Sequence, residues 1–484
     1  AKAALFDMDG RLVSLSRSPL PTSASRGGGR AERDADAMWS AVVRTIRDMV
    51  DGLPDARPQR IAAVAVTGFG GGLFAVDRQG NPFGPGIMSS DSRAISQAED
   101  LNAGRFASAL AETLGIRLWA SWALPLFRWL DQNDDPLRHA DKVLWCKDFI
   151  RLRLTGQIAT DPTDAATAGL LDLSTGQYAD DLIAATGSGH WRGKLPEILP
   201  GSAIAGHVTA SAAGQTGLLA GTPVIAGAMD ISLCALASGV IHPGAVSMIA
   251  GTWSINQVVA KSGERVPELP LTALPHLLPG QRLISYNSAR SAGNLSWVFS
   301  QMMTQPDRLG LPADHLAFDR LAQPALLDQS SPSFFPYLLG GPNSARAAFL
   351  GLGLEHDLPE IVTAMYEGVA FSHLADSAPL WTLVKPDQPI RLAGGASASP
   401  AWVQIFADSF SRPVETLDCQ EIGAKGCAIL AATAIGAYPD PETAALHMSR
   451  VLARAEPEPG RADLMQYRFR RWLADADWLA RRQA

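Results

Sequence analysis

Residues 223–230 read PVIAGAMD, an apolar run that ends on the carboxylate of Asp230. Unbroken apolar runs of this length predict strands that are buried on both faces. Residues 245–250, AVSMIA, form a second such run, which ends at Gly251 and Thr252. Two buried strands that end in a carboxylate and in a glycine turn predict an α/β protein with its chemistry at the strand ends.

Both halves of the chain repeat a similar order of elements. In the first half, a Gly-, Ser- and Arg-rich stretch over 23–33 predicts a loop, and apolar spacing over 36–53 predicts a helix. A buried strand is predicted over 61–67, before a cluster of glycines. In the second half, a predicted helix over 358–383 precedes a predicted strand over 389–393. The repetition indicates two related domains.

The length of 484 residues exceeds what one hydrophobic core accommodates. Gly and Pro cluster near residues 239–244, where a linker between domains is expected. We therefore predict one α/β domain over residues 1–238 and a second over residues 239–484, facing a central cleft.

The bulk composition argues against several classes of function. The net charge is −7 without a basic cluster, which disfavours nucleic acid and anionic membranes as partners. The longest apolar stretch falls short of the roughly 18 residues that span a bilayer. The four cysteines form no CxxC pair, and no metal-ligand spacing of His and Cys is present. We expect a cytoplasmic protein that acts on a small molecule.

Asp230 has two interpretations at this stage. A positioned carboxylate can accept the proton of a hydroxyl during phosphoryl transfer, an effect worth roughly 10²–10⁴-fold. An Asp between a strand and a helix is also a common N-cap, whose side chain accepts a backbone N–H of the first turn. The residue types alone leave both interpretations open.

Two glycine turns are suited to a nucleotide. Gly251 and Thr252 can offer backbone N–H groups and a hydroxyl to a phosphate, although glycine is equally typical of plain hairpin turns. Residues 394–400, GGASASP, lie between a predicted strand and a predicted helix, where glycines allow a nucleotide to approach the backbone. The alternative is a simple connector in which Ser399 caps the helix.

Asp91 and Arg93 belong to the polar stretch SSDSR over 89–93. A carboxylate and a guanidinium together can hold several hydroxyls of a polyol. The commoner alternative for such a pair is a surface salt bridge.

Several stretches together resemble the FGGY family of carbohydrate kinases over nearly the whole chain. AAFLGL at 347–352, followed after seven residues by EIVTAMYE at 360–367, resembles the C-terminal signature of that family. Residues 122–133 resemble its N-terminal signature, with Leu126 in place of the usual Lys. Shorter family-like stretches are RLRLTG at 151–156, Thr160-Asp161, and Glu421 followed by Gly426-Cys427-Ala428.

The resemblance implies two actin-like (ribonuclease H-like) domains, an N-terminal sugar-binding domain and a C-terminal nucleotide-binding domain, and transfer of phosphate from ATP with Mg²⁺. It implies that Asp230 is the catalytic base. The implied nucleotide contacts are Gly251, Thr252, Gly293, Gly394, Gly395, Ala396 and Ser399. The implied sugar contacts are Gly70, Gly71, Asp91, Arg93 and Asp230. Metal ligands stay unassigned, and a homodimer is an expectation at the level of the family.

Two departures from the family bear on the sugar. Ser89 replaces a Trp, and Gly70 and Gly71 replace longer side chains. The triplet SSD at 89–91, together with AERD at 31–34, is most similar to the L-xylulose kinase branch, which implies a ketopentose. D-xylulose, glycerol and other polyols stay as alternatives.

The front of the chain departs further from the family. Family members open with a strand and a glycine–threonine phosphate loop, which we expect just before Lys2. The alternative from another functional class is therefore a catalytically impaired homologue that binds sugar or regulates.

Overall fold

The structure, a computed structural model, describes residues 1–20, 24–26, 29–53, 60–264, 271–302, 315–419 and 421–483. The chain forms two compact units. Unit 1 consists of Ala1–Ile241, Lys261–Leu283 and Glu421–Ser449. Unit 2 consists of His242–Ala260, Ile284–Gln420 and Arg450–Ala484. The predicted domains over 1–238 and 239–484 stay a prediction.

The strands, in chain order, are β1 Lys2–Phe6, β2 Leu12–Arg17, β3 Ala24–Arg26, β4 Arg30–Arg33, β5 Phe74–Val76, β6 Gly86–Ile87, β7 Lys142–Leu144, β8 Ala159–Thr160, β9 Leu171–Asp172, β10 Gln177–Tyr178, β11 Glu197–Ile198, β12 Ile204–His207, β13 Pro223–Ile225, β14 Val246–Ala250, β15 Ser254–Lys261, β16 Thr272–Pro275, β17 Gln281–Ser288, β18 Ser333–Phe335, β19 Ala348–Leu350, β20 Ile390–Ala393, β21 Val414–Leu417 and β22 Val451–Ala455.

The α-helices are α1 Ala35–Asp51, α2 Ile95–Ala103, α3 Ala107–Leu114, α4 Ala123–Gln132, α5 Cys146–Thr155, α6 Pro162–Thr167, α7 Asp180–Ala185, α8 Ala210–Thr216, α9 Asp230–Ala237, α10 Ala292–Met302, α11 His315–Leu321, α12 Leu358–Ser377, α13 Pro400–Phe410, α14 Ile422–Ala434, α15 Pro441–Met448 and α16 Pro459–Gln483. Short 3₁₀ helices are Pro136–His139, Gly189–Lys194, Pro324–Leu326, Pro342–Ser344, Ala378–Leu383 and Gly395–Ala398. Within the described ranges, no helix combines the length and the apolar character that crossing a membrane requires.

Unit 1 opens with the antiparallel hairpin β1–β2. Two predictions in this region are wrong. The predicted loop over 23–33, of which residues 24–26 and 29–33 lie in the described part of the chain, contains β3 and β4, which pair antiparallel. The predicted strand over 61–67 is only an isolated bridge between Val64 and Val224 of β13, and the segment lines an apolar cavity of about 530 Å³. An apolar run forms a regular strand only where neighbouring strands supply hydrogen-bond partners along it.

Unit 2 is built on a sheet in which β17, β15, β14, β20, β21 and β22 follow one another. β14 pairs antiparallel with β15, and Ala250 lies opposite Ser254 across the turn. β14 pairs parallel with β20, and Ile249 lies opposite Ala393. Since parallel strands end at the same edge of a sheet, Gly251 and Gly394 follow their strands at one edge.

The long helix α12 packs in the core of unit 2. It begins with a capping box, in which Asp357 accepts the N–H of Glu360 and Glu360 accepts the N–H of Asp357. The predicted helix over 358–383 changes to a 3₁₀ helix after Ser377, because Pro379 lacks the N–H that an α-helix needs.

Candidate active site

Asp230 is the first residue of α9 and follows the connection from β13. The N-cap is Met229, which makes no side-chain cap, and the Asp230 Oδ1 accepts the N–H of Ile231 at 2.7 Å. The N-cap interpretation of Asp230 is therefore wrong, because the residue lies inside the first turn. A carboxylate at this point is favoured by the positive end of the helix dipole.

The surroundings of Asp230 make it more basic than an ordinary aspartate. Its side chain is half-buried. Burial raises the pKa of Asp230 from 3.8 to about 6, and the hydrogen bond from Ile231 offsets part of that increase. A carboxylate with this pKa is ionised at pH 7.5 and still accepts a proton readily, which suits a general base.

The backbone around Asp230 is held at successive points by hydrogen bonds. The pairs are Arg151 Nη1 to the Ala226 carbonyl at 2.9 Å, Thr67 Oγ1 to the Ala228 carbonyl at 3.0 Å, the Met229 N–H to Thr163 Oγ1 at 2.9 Å, and the Asp230 N–H to the Gly68 carbonyl at 3.1 Å. Such bonds fix where the carboxylate lies.

A buried ionic cluster contacts the segment between β13 and α9 through Thr163. This cluster was not predicted from the sequence. Lys147 Nζ lies 2.5 Å from Asp148, 3.0 Å from Asp161 and 3.1 Å from Asp164. The Thr163 hydroxyl donates to Asp161 Oδ2 at 2.6 Å while it accepts the N–H of Met229. Of these residues, only Asp161 falls in a stretch identified from the sequence as family-like.

The structure brings Gly70 next to Met229, the residue before Asp230. A Cβ atom at Gly70 would lie 2.4 Å from Met229 Sδ and 2.9 Å from Thr167 Oγ1. Gly71 has φ +76°, and a Cβ atom there would lie 2.8 Å from Trp122 Cδ1. Both positions therefore require glycine, the first for space and the second also for its backbone conformation.

Asp91 and Arg93 form a buried ion pair, so the alternative of a surface salt bridge is wrong. Asp91 is 3% exposed and Arg93 is 7% exposed. The Asp91 oxygens accept four hydrogen bonds, from the N–H of Ala31 and from the N–H, Nε and Nη2 of Arg93. Arg93 Nη2 also donates to Glu32 at 2.6 Å. Glu32 was missed as a contact, although its AERD run had been noted.

Arg93 keeps one unused donor in this arrangement. Its Nη1 is buried and has no hydrogen-bond partner among the described residues. Its guanidinium carbon also lies 5.3 Å from the centre of the Trp129 ring. Because the Asp91 oxygens already accept four hydrogen bonds, Arg93 Nη1 is the polar group of this pair that lacks a partner among the described residues, and Asp91 orients it.

In unit 2, three glycines meet at the hairpin turn 251–253. The N–H of Gly293 donates to the Gly251 carbonyl at 3.3 Å, and a Cβ atom at Gly293 would lie 2.7 Å from the Thr252 carbonyl oxygen. Gly394 has φ +85°, and a Cβ atom there would lie 2.7 Å from the Ala250 carbonyl oxygen. The turn is a hairpin, as the alternative stated, and it is also the place where the predicted nucleotide contacts converge.

The remaining predicted nucleotide contacts follow Gly394 directly. Gly395 and Ala396 lie in the 3₁₀ helix Gly395–Ala398, and Ala396 is buried. Ser399 is the N-cap of α13, and its Oγ accepts the N–H of Trp402 at 3.1 Å. The cap that the connector interpretation predicted is thus present, and nucleotide binding by Ser399 stays a prediction.

Comparison with known proteins gives matches over most of the chain. The model of the FGGY family of carbohydrate kinases, N-terminal domain, matches residues 1–237, and the model of its C-terminal domain matches residues 246–435. A probable L-xylulose kinase of Pasteurella multocida is 28% identical over 477 residues, which are 97% of this chain and 95% of that protein. An erythritol kinase of Brucella abortus is 31% identical over 491 residues, covering 96% and 91%. The crystal structure of xylulose kinase from Rhodospirillum rubrum is similar with a TM-score of 0.85 and 25% identity, covering 100% of this chain and 97% of that one.

Proposed function

Because the chain belongs to the FGGY family of carbohydrate kinases, it is a phosphotransferase with an alcohol acceptor, and we propose that this acceptor is a ketopentose of the L-xylulose type. The family, the α/β fold with two actin-like domains and the class of enzyme, all predicted from the sequence, are confirmed by the two domain matches and by the similar solved structure. The substrate, the site residues and the metal belong to the proposal.

The observation that carries the proposal is the environment of Asp230. Burial raises its pKa to about 6, and hydrogen bonds fix the backbone that leads to it. Asp230 accepts the proton of the sugar hydroxyl while that oxygen forms a bond to the γ-phosphorus of ATP. The bond from the γ-phosphorus to the β,γ-bridging oxygen breaks, and ADP leaves with the electron pair.

The glycine turns of unit 2 are the proposed nucleotide contacts. Members of this family use ATP as the phosphate donor, which supplies the phosphoryl group. Gly251 and Thr252 offer the phosphates backbone N–H groups and a hydroxyl, and Gly394 with its successors lies under the adenosine. Side chains at Gly293 and Gly394 would clash with the backbone of Thr252 and Ala250. The absence of side chains at these two positions supports a surface on which a nucleotide can approach the backbone.

Magnesium is proposed as a companion of the nucleotide. Among the residues that the structure describes, no group of three or more His, Cys, Asp or Glu side chains could hold a metal ion. Proteins commonly hold Mg²⁺ through one or two carboxylates together with the substrate phosphates. The protein ligands stay unassigned.

Gly70, Gly71 and Arg93 are the proposed sugar contacts, beside Asp230. The two glycines let the backbone pack closely against Met229 and Trp122, and Arg93 Nη1 is a buried donor without a protein partner in the described part of the chain. A hydroxyl oxygen of a neutral polyol can accept a hydrogen bond from this donor. The L-xylulose kinase relative supports a ketopentose, whereas the erythritol kinase relative makes a shorter polyol the second candidate.

A panel of acceptors tests the proposal. ADP release is measured with ATP, Mg²⁺ and L-xylulose, D-xylulose, erythritol or glycerol at equal concentrations. We expect the highest kcat/KM with a ketopentose. A higher value with erythritol or glycerol would overturn the substrate assignment. Sugar binding without ADP release for any acceptor would instead favour a catalytically impaired homologue.

A further inference from the structure

His373 is a fully buried imidazole in the middle of α12, and side chains engage both of its nitrogens. Its Nδ1 lies 2.8 Å from Asn256 Oδ1 and 3.1 Å from Ser254 Oγ. Its Nε2 lies 3.0 Å from Ser291 Oγ. All four residues belong to unit 2.

The partners determine the protonation of this ring. Asn256 Oδ1 can only accept, so Nδ1 carries the proton and donates it. Burial lowers the pKa of His373 to about 3, so the ring is neutral near pH 7 and Nε2 accepts the Ser291 hydroxyl. One side chain thus acts as donor on one side and as acceptor on the other.

The two sides of the ring lead to different parts of the predicted nucleotide site. Ser254 and Asn256 open β15, directly after the turn 251–253. Ser291 directly precedes α10, whose second residue Gly293 donates its N–H to the Gly251 carbonyl. His373 therefore links the start of β15, directly after the turn 251–253, to Ser291, the residue directly before α10.

A second side chain of α12 supports the same loop. Asp376 lies almost one helical turn after His373, on the same face. Its Oδ2 accepts the Ser288 hydroxyl at 2.7 Å, and its Oδ1 lies 2.5 Å from Arg290 Nη2. Helix α12 thus holds the loop before α10 at Ser288, Arg290 and Ser291.

We propose that His373 is a positioning residue for the nucleotide, which keeps the turn 251–253 and the start of α10 together as one binding surface. The inference rests on the proposed function only in that the turns bind ATP, and it does not depend on which sugar is phosphorylated. A leucine at 373 would leave the polar side chains of Ser254, Asn256 and Ser291 in a buried place with fewer partners.

The test is nucleotide affinity, measured by calorimetry with ATP and Mg²⁺ in the absence of sugar. We expect His373→Leu to weaken ATP binding roughly 10-fold, and the milder Ser291→Ala, which removes one hydroxyl, to weaken it by a smaller factor. In the double variant, the loss of Ser291 should add little to the loss of His373, because both act through one hydrogen bond.

His276 supplies a matched control. It is also a buried imidazole with a lowered pKa, of about 4, but among the described residues its Nε2 and Nδ1 hydrogen-bond with backbone groups, at Val240 and Leu278 in unit 1. His276→Leu should lower the melting temperature and leave ATP affinity unchanged. Wild-type affinity in His373→Leu and Ser291→Ala, or an equal loss in His276→Leu, would overturn the positioning role. Failure of the wild-type protein to bind ATP would instead overturn the proposed function.

Discussion

Replacing Asp230 with Asn tests whether burial destabilises the ionised carboxylate of Asp230 in the folded protein. The pKa of Asp230 is about 6, against an ordinary 3.8, because burial penalises the charged form. Each factor of ten in proton affinity corresponds to about 1.4 kcal/mol, so the ionised carboxylate destabilises the fold by at most about 3 kcal/mol. Asparagine has the same shape and can still accept the N–H of Ile231, but it carries no charge.

The sign of the pH dependence follows from the raised pKa. The folded state binds the proton more tightly than the unfolded state, so the wild-type protein loses stability as the pH rises from about 4 to about 6. Above that range the penalty is complete. The gain in the free energy of unfolding for Asp230→Asn should therefore be about 2 kcal/mol larger at pH 8 than at pH 4.

Urea denaturation at pH 4 and pH 8 measures this difference. Asp77→Asn is the control of opposite sign, because hydrogen bonds from Asn81 and Gln79 lower the pKa of Asp77. That substitution should lower stability at pH 8 and have less effect at pH 4. If Asp230→Asn changes stability equally at both pH values, the carboxylate is not destabilised by burial and the argument for its basicity is refuted.

Three further substitutions test the rest of the site. Gly70→Ala places a methyl group against Met229 and should lower kcat/KM for the sugar at least ~10-fold. The control Gly214→Ala, in open space on α8, should leave kcat/KM unchanged. Equal kcat/KM in the two variants would contradict the close packing of Gly70 on Met229. Thr163→Val removes the hydrogen bond to the N–H of Met229 and should lower kcat about 10-fold at unchanged KM for ATP. The control Thr160→Val removes a buried hydroxyl that has no partner in the described chain and should leave kcat unchanged. An unchanged kcat in Thr163→Val would contradict the role of Thr163 in positioning Asp230. Arg93→Lys loses the guanidinium group that hydrogen-bonds with both Glu32 and Asp91, and it should raise the KM for the sugar about 10-fold without changing the KM for ATP. An unchanged KM for the sugar would show that Arg93 does not belong to the sugar site.

The strand ends were the part of the site that the sequence predicted best. Gly251 follows an apolar run and Gly394 follows a predicted strand, and the parallel pairing of β14 and β20 brings them together at one edge. Gly293 is the second residue of α10 and follows no such strand. Its place against Thr252 depends on a contact across some 40 residues, which no local pattern encodes.

Side-chain pairing was harder to predict than residue type. Asp91 and Arg93 were expected to act together, but Arg93 also donates to Glu32, which lies 61 residues before it in the chain. Helical spacing identifies His373 only as a core residue of α12, because spacing carries no information on the partners across the core. The strand predicted over 61–67 failed for the same reason, since pairing depends on distant segments.

The central claim is that Asp230 is the base of a sugar kinase, and the turnover of Asp230→Asn with L-xylulose, ATP and Mg²⁺ at pH 7.5 tests it most directly. The account predicts that ADP formation falls by roughly 10²-fold or more while the dissociation constant of the sugar stays within about threefold of the wild-type value. Near-normal turnover in this variant, with the same sugar bound, would contradict it.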